Sequence, residues 1–150
     1  MTLDVAQAIV DGLRPADPAA WAPDYPTEAA LVAASMIVAA AAEGREEELW
    51  GSYQLVRRDT GRVIGGGGFG RTPPDARGEV HVGYSIAASE QGAGFAAEAV
   101  RGLVGWALGR PDVTRVLAET ATTNARGIAT YEAAGLRRRA GAGDVVVLEA

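Results

Sequence analysis

The spacing of apolar positions divides the chain into short helices and strands. Leu3, Ala6, Ile9/Val10 and Leu13 recur at helical intervals and predict a first helix ending before Pro15. Arg14 to Tyr25, rich in proline and aspartate, reads as a loop, from which Trp21, Asp24 and Tyr25 could reach a substrate. Pro26 and Thr27 stand where a second helix begins; Leu31, Ala34/Ser35, Val38 and Ala42 form its stripe, and Gly44 stops it. Trp50 to Arg57 reads as a strand, Asp59-Thr60-Gly61-Arg62 as a turn, and Val63 to Phe69 as the hairpin partner. Glu79 to Ile86 alternates, with Glu79, His81, Gly83 and Ser85 on one face and Val80, Val82, Tyr84 and Ile86 on the other. Phe95 to Leu108 carries a helical stripe of Phe95/Ala96, Ala99/Val100, Leu103/Val104 and Ala107/Leu108, and Gly109 and Pro111 end it. Val113 to Ala121 is a further strand. Thr122-Thr123-Asn124 caps a helix from Ala125 to Ala134, which Gly135 closes. Leu136 to Arg139 and Asp144 to Leu148 form a last hairpin across Gly141-Ala142-Gly143. This order predicts an α+β fold, a mixed α/β layer with helices covering a largely antiparallel sheet. With 150 residues and no dividing linker, one domain over residues 1–150 is expected.

Between the strand ending at Ile86 and the helix opening at Phe95 lies Gln-Gly-Ala-Gly, residues 91–94. A strand, a glycine loop and a helix in that order make an anion site. Glycine lets the backbone come close to a ligand, and the loop amides join the unpaired N–H groups and the positive dipole end of the first helical turn. A phosphate or pyrophosphate is its natural occupant. Residues 65–70 also match G-x-G-x-x-G, but they run into Thr72-Pro73-Pro74-Asp75, which cannot be the helix a dinucleotide fingerprint requires. A dinucleotide-dependent oxidoreductase therefore has no further support, and the glycine-rich strand is read as a place of close backbone approach.

Composition narrows the chemistry. The chain has no cysteine, which excludes disulfides, thiolate metal sites and a cysteine nucleophile, and its single histidine, His81, excludes a multi-histidine metal site. The net charge of −5 gives no basic footprint for nucleic acid. Arg137-Arg138-Arg139 and Arg45-Glu46-Glu47-Glu48 read as solvated charge runs, the second as a weaker candidate for an acidic rim that attracts an amine. Leu31 to Ala42 is too short to span a bilayer, and Met1-Thr2-Leu3-Asp4 does not open a signal peptide, so a cytoplasmic protein without a membrane partner is expected.

Gln91-x-x-Gly94-x-Ala96 fits Q/R-x-x-G-x-G/A, the signature with which GNAT-type N-acetyltransferases hold the pyrophosphate of acetyl-CoA. Val80 to Ile86 resembles that family's fourth strand, and Glu119, Asn124, Tyr131 and Gly135-Leu136 follow the order and spacing of its E…N…Y…GF segment. From about Trp50 to Leu136 the chain thus resembles the GNAT family, most closely its RimJ/RimL-like branch. The resemblance implies an acetyl-CoA-dependent transfer of acetyl to a primary amine through a ternary complex. The acceptor would be a small molecule or a protein N-terminus. Backbone groups at Ser85 and Ile86 would pair with the pantetheine arm, the amides of Gly92, Ala93, Gly94, Phe95 and Ala96 would hold the pyrophosphate beside Gln91, and Asn124 would contact the arm. Tyr131 is the implied acid for the departing thiolate. Glu119 or His81 is the implied base, with Glu79 next in line and more solvent-facing; pairing with an arginine is the structural alternative for Glu119. No metal is implied. A catalytically silent acyl-CoA sensor or scaffold is the alternative, and Tyr131 standing beside Gln91, Gly94 and Asn124 favours the enzyme. GNAT chains usually open with a strand, whereas here the first helix starts almost at once. A missing first strand would expose a sheet edge, and a second subunit covering it would make a homodimer.

Overall fold

Helix caps and strand alternation set the elements. The computed structural model describes residues 1–44, 50–70, 74–139 and 143–150. The charge run at residues 45–48, residues 72–73 of the proline segment and residues 141–142 of the last turn lie outside the described residues. The elements in order are α1 (Leu3–Val10), α2 (Glu28–Ala42), β1 (Ser52–Val56), β2 (Val63–Phe69), β3 (Glu79–Ile86), α3 (Phe95–Leu108), β4 (Arg115–Ala121), α4 (Ala125–Ala133), β5 (Arg137–Arg139) and β6 (Val145–Glu149). The strands form one six-stranded sheet in the order β1-β2-β3-β4-β6-β5. The β3/β4 pair is parallel, and the β1/β2, β4/β6 and β5/β6 pairs are antiparallel. The expected mixed layer with a mostly antiparallel sheet is therefore what forms, and no strand precedes α1 among the described residues. The chain divides into two compact units, Met1–Gly68 with Tyr84–Ala93, and Phe69–Gly83 with Gly94–Ala150.

In the first unit α1 packs on α2. Thr27 caps α2 by accepting the Ala30 N–H at 3.1 Å. Helix α1 stops at Val10, one turn short of the predicted Leu13. Gly12 turns left-handed at φ 70°, and the N–H groups of Gly12 and Leu13 close back on Ile9 and Ala8. Leu13 is left 60% exposed. The segment read as a surface loop is largely core. Trp21 and Tyr25 are buried with Ala6, Ile9, Ala30, Ala34 and Val63, their rings edge to face at 5.0 Å. Burial raises the Tyr25 pKa, and its hydroxyl lies 3.5 Å from Gln54 Nε2. A substrate contact by Trp21 or Tyr25 is thereby replaced by a packing role, because these two rings are the largest apolar groups the segment can bury. The glycines of β2 do admit a close backbone: a Cβ on Gly65 would overlap the Ser85 carbonyl, and one on Gly68 the Gly51 carbonyl.

In the second unit β3 and β4 pair over Glu79↔Arg115, Val80↔Val116 and His81↔Leu117. Partners share a face, so Glu79, His81, Arg115, Leu117 and Glu119 lie on one side and Val80, Val116 and Ala118 on the other. Val80, Val100, Val116 and Leu148 are fully buried, each contributing about 1.5–3 kcal/mol. The other face carries exposed or half-exposed ion pairs, Arg115 with Glu79 and Glu149, and Arg139 with Glu149. Such pairs contribute at most about 1 kcal/mol each, so apolar packing dominates this unit. Arg138 of the arginine run bonds Glu132 at 2.7 Å, and all three arginines are exposed, as a solvated strand should be. Helix α4 ends as predicted: Gly135 takes φ 105° while Leu136 N–H reaches the Tyr131 carbonyl at 3.0 Å.

Candidate active site

The loop before α3 is built from its own glycines. Gly92 and Gly94 take φ of 87° and 83°, where a side chain is strained. Nothing lies within 4 Å of a Cβ at either position, so the strain comes from the backbone alone and the space over the loop is open. Gly94 is the N-cap of α3 and offers no side chain to its first-turn amides, while residues 91–94 are exposed. Such a helix start accepts an anion through its amides. The geometry fits the pyrophosphate expected from the sequence, with Gly94, Phe95 and Ala96 opening the helix and Gly92 and Ala93 forming the turn before it.

Gln91 has a supporting part as well. Its Nε2 donates to the Ile86 carbonyl at 3.0 Å, tying the loop to the end of β3. Of the two strand-end residues, Ser85 directs its carbonyl at Gly65 of β2. Strand alternation therefore turns the backbone N–H and C=O of Ile86 to the opposite edge. The Ser85 hydroxyl lies 2.8 Å from Thr27 Oγ1, the cap of α2. Asp24, considered from sequence as a substrate contact, accepts both the N–H and the hydroxyl of Ser89, and these bonds hold its pKa below the ordinary 3.8.

In the second unit His81 and Glu119 come together. Their chains run side by side in β3 and β4, and His81 Nδ1 stands 3.8 Å from Glu119 Oε1, both side chains about half exposed. The partner expected for Glu119 was an arginine; the parallel register gives it the histidine instead. Glu79 is not solvent-facing: it sits opposite Arg115 and bonds it at 2.9 Å, with only 16% of its side chain exposed. Asn124 caps α4, its Oδ1 accepting the Gly127 N–H at 2.9 Å and its Nδ2 donating to Thr120 Oγ1 at 2.8 Å. Tyr131 is buried two helical turns further along the same helix.

The comparisons with known proteins bear on this arrangement. Residues 6–137 match the family model described as acetyltransferase (GNAT) domain. The chain belongs to the GNAT acetyltransferase family. Across 84 residues it is 32% identical to the uncharacterized N-acetyltransferase YjdG of Bacillus subtilis strain 168, covering 56% of this chain. That match spans about half of the relative's length, 49%. The aminoglycoside acetyltransferase AAC(6')-Ib, solved with coenzyme A, superposes with a TM-score of 0.68 at 22% identity, over 100% of this chain and 91% of that one. A chimera of the spermidine N-acetyltransferase SpeG from Vibrio cholerae gives 0.65 at 13% identity, over 77% and 75%. At these identities the solved structures share the fold.

Sequence reading of this GNAT domain missed the residues that brace the loop from outside it. Glu90 is buried at 9% exposure, and Arg57 and Arg62 hold it at 2.9 and 3.7 Å. The two arginines flank a turn some thirty residues earlier, and nothing local in Ala-Ser-Glu marks its glutamate as buried. Only the pairing of β2 with β3 brings them together.

Proposed function

We propose that this protein is an acetyl-CoA-dependent N-acetyltransferase that moves an acetyl group to a primary amine by direct attack. The observation that carries the proposal is the open, doubly left-handed glycine loop at an uncapped helix start, within a chain that matches the GNAT domain over residues 6–137. The amides of residues 92–96 hold the pyrophosphate, and backbone groups at Ser85 and Ile86, together with Asn124, receive the pantetheine arm. On the strand spacing and the Asn124-to-Tyr131 interval we place the protein in the RimJ/RimL-like branch.

The chemistry assigned to the side chains balances as follows. A neutral amine forms the new C–N bond to the thioester carbonyl carbon, the C–S bond breaks, one amine proton leaves, and the thiolate gains one. His81 takes the amine proton. Glu119 faces its Nδ1 and favours the tautomer that leaves Nε2 as acceptor. At 3.8 Å the pair is longer than a hydrogen bond, and two half-exposed side chains can close that gap by rotation. Tyr131, a phenol protonated at neutral pH and buried on α4, supplies the proton to the thiolate.

The acceptor is a small-molecule amine or a protein N-terminus. AAC(6')-Ib and SpeG are described as aminoglycoside and spermidine acetyltransferases, and both substrate types belong in the first panel. Residues 1–150 act as one domain in this reading. We propose a cytoplasmic setting, since acetyl-CoA is an intracellular metabolite, and a homodimer in which the partner covers the sheet edge. Thiol release from acetyl-CoA across a panel of aminoglycosides, polyamines, amino acids and N-terminal peptides tests the proposal. Turnover with any of them supports it. Binding of acetyl-CoA with no turnover on any favours the silent sensor.

A further inference from the structure

Glu90 is the buried charged side chain among the described residues, and it lies one residue before the glycine loop. Burying a carboxylate is costly unless its oxygens are satisfied, and an apolar side chain of similar volume would stabilise the fold at least as well. What a charge-assisted pair supplies is directional geometry. Here Arg57 Nη1 donates to Oε2 at 2.9 Å, and Arg62 Nη1 stands 3.7 Å from Oε1. Each arginine is itself fixed, Arg57 by Asp59 and Arg62 by the Ala19 carbonyl at 3.1 Å. The Glu90 N–H closes on the Ala87 carbonyl at 2.9 Å, and Ser89 is held by Asp24. Gln91 adds its bond to Ile86. Beyond Gln91, Gly92 and Gly94 have no side chains through which to be held. The direction in which residues 92–94 present their amides is therefore inherited from the last residues that are fixed.

We propose that Glu90, clamped by Arg57 and Arg62, is a positioning residue for the cofactor loop: it aims the loop amides at the diphosphate of acetyl-CoA without touching it. This rests on the acetyl-CoA reading above. Two variants test it. Glu90→Gln keeps the shape and removes the charge, and Arg62→Met keeps the stem while leaving the shorter Arg57 bond in place. Coenzyme A affinity is measured by calorimetry at a temperature where circular dichroism shows each variant folded. The kcat/KM values for acetyl-CoA and for acetylpantetheine, which lacks the diphosphate, are measured alongside.

The expected result is a Kd for coenzyme A raised about tenfold in Glu90→Gln, the size of one charge-assisted hydrogen bond, and about threefold in Arg62→Met. The ratio of kcat/KM for acetyl-CoA over acetylpantetheine should fall by the same factors. Folded variants with wild-type affinity overturn the aiming role, as does an equal loss for both thioesters, which marks a clamp that only stabilises the fold. If Glu90→Gln does not fold, Arg62→Met decides by the same criteria. A wild-type protein that binds no coenzyme A overturns the acetyl-CoA reading itself, whereas wild-type binding with unaltered folded variants overturns only the role of Glu90.

Discussion

Gly94 offers a test in which folding and binding should respond in opposite order. At φ 83° and ψ −4° any L side chain is strained by roughly 1–2 kcal/mol. A Cβ there meets nothing within 4 Å, so no steric cost is added. Gly94→Ala should therefore lower stability by that strain alone. Gly94→Asp carries the same strain, partly offset because aspartate tolerates this backbone region and its charge favours a helix N-terminus by about 0.3–1 kcal/mol. Without ligand the aspartate variant should be the more stable of the two. With coenzyme A the order reverses. A carboxylate about 4 Å from a phosphate is repelled by roughly 1–4 kcal/mol per charge between the dielectric of water and that of a protein surface. That weakens binding by about 10- to 1,000-fold. Differential scanning fluorimetry reads both effects. At coenzyme A concentrations near 100 times the wild-type Kd, mass action adds about 2.7 kcal/mol, which is about 5–10 °C in a chain of this size. Gly94→Ala should keep most of that shift, and Gly94→Asp about 1 °C or none. Equal shifts in the two variants would show that no anion sits over this loop.

Other outcomes follow from the same geometry. Tyr131→Phe should lower kcat by about 10²–10⁴-fold with little change in coenzyme A affinity; wild-type turnover would show that another group protonates the thiolate. Glu119→Gln should lower kcat/KM and shift the alkaline-rising limb of its pH profile, while an unmoved profile would separate Glu119 from the base. Asp24 binds its proton more weakly folded than unfolded, so its contribution is present above the ordinary pKa of 3.8 and fades as pH falls through and below it. Ser89→Ala should accordingly lower the urea midpoint at pH 7, and that difference should shrink at pH 3; a constant difference would remove the linkage. Gly65→Ala should destabilise by about 1–3 kcal/mol or more, since its Cβ would overlap the Ser85 carbonyl, and an unchanged midpoint would mean that β2 and β3 lie further apart.

Local chemistry alone determined much of this protein. The bounds of β2, β3 and α3 follow from alternation and helical stripe, and the caps at Thr27, Asn124 and Gly135 follow from the hydrogen-bonding needs of helix ends. Gly92 and Gly94 announced a left-handed loop for the same reason, since the constraint lies within each residue's own backbone. The tertiary structure decided what depends on partners distant in sequence. Trp21 and Tyr25 became core because α1 and α2 close over them, although the prolines and aspartates around them read as surface. Glu119 met His81 rather than an arginine because β3 and β4 run parallel with His81 opposite Leu117, a register that no local pattern encodes. Glu79 was drawn from solvent to Arg115 by the same register. Glu90 remained hidden for the most general reason: a carboxylate is buried only where its counter-charges converge, and Arg57 and Arg62 reach it only once the strands have paired.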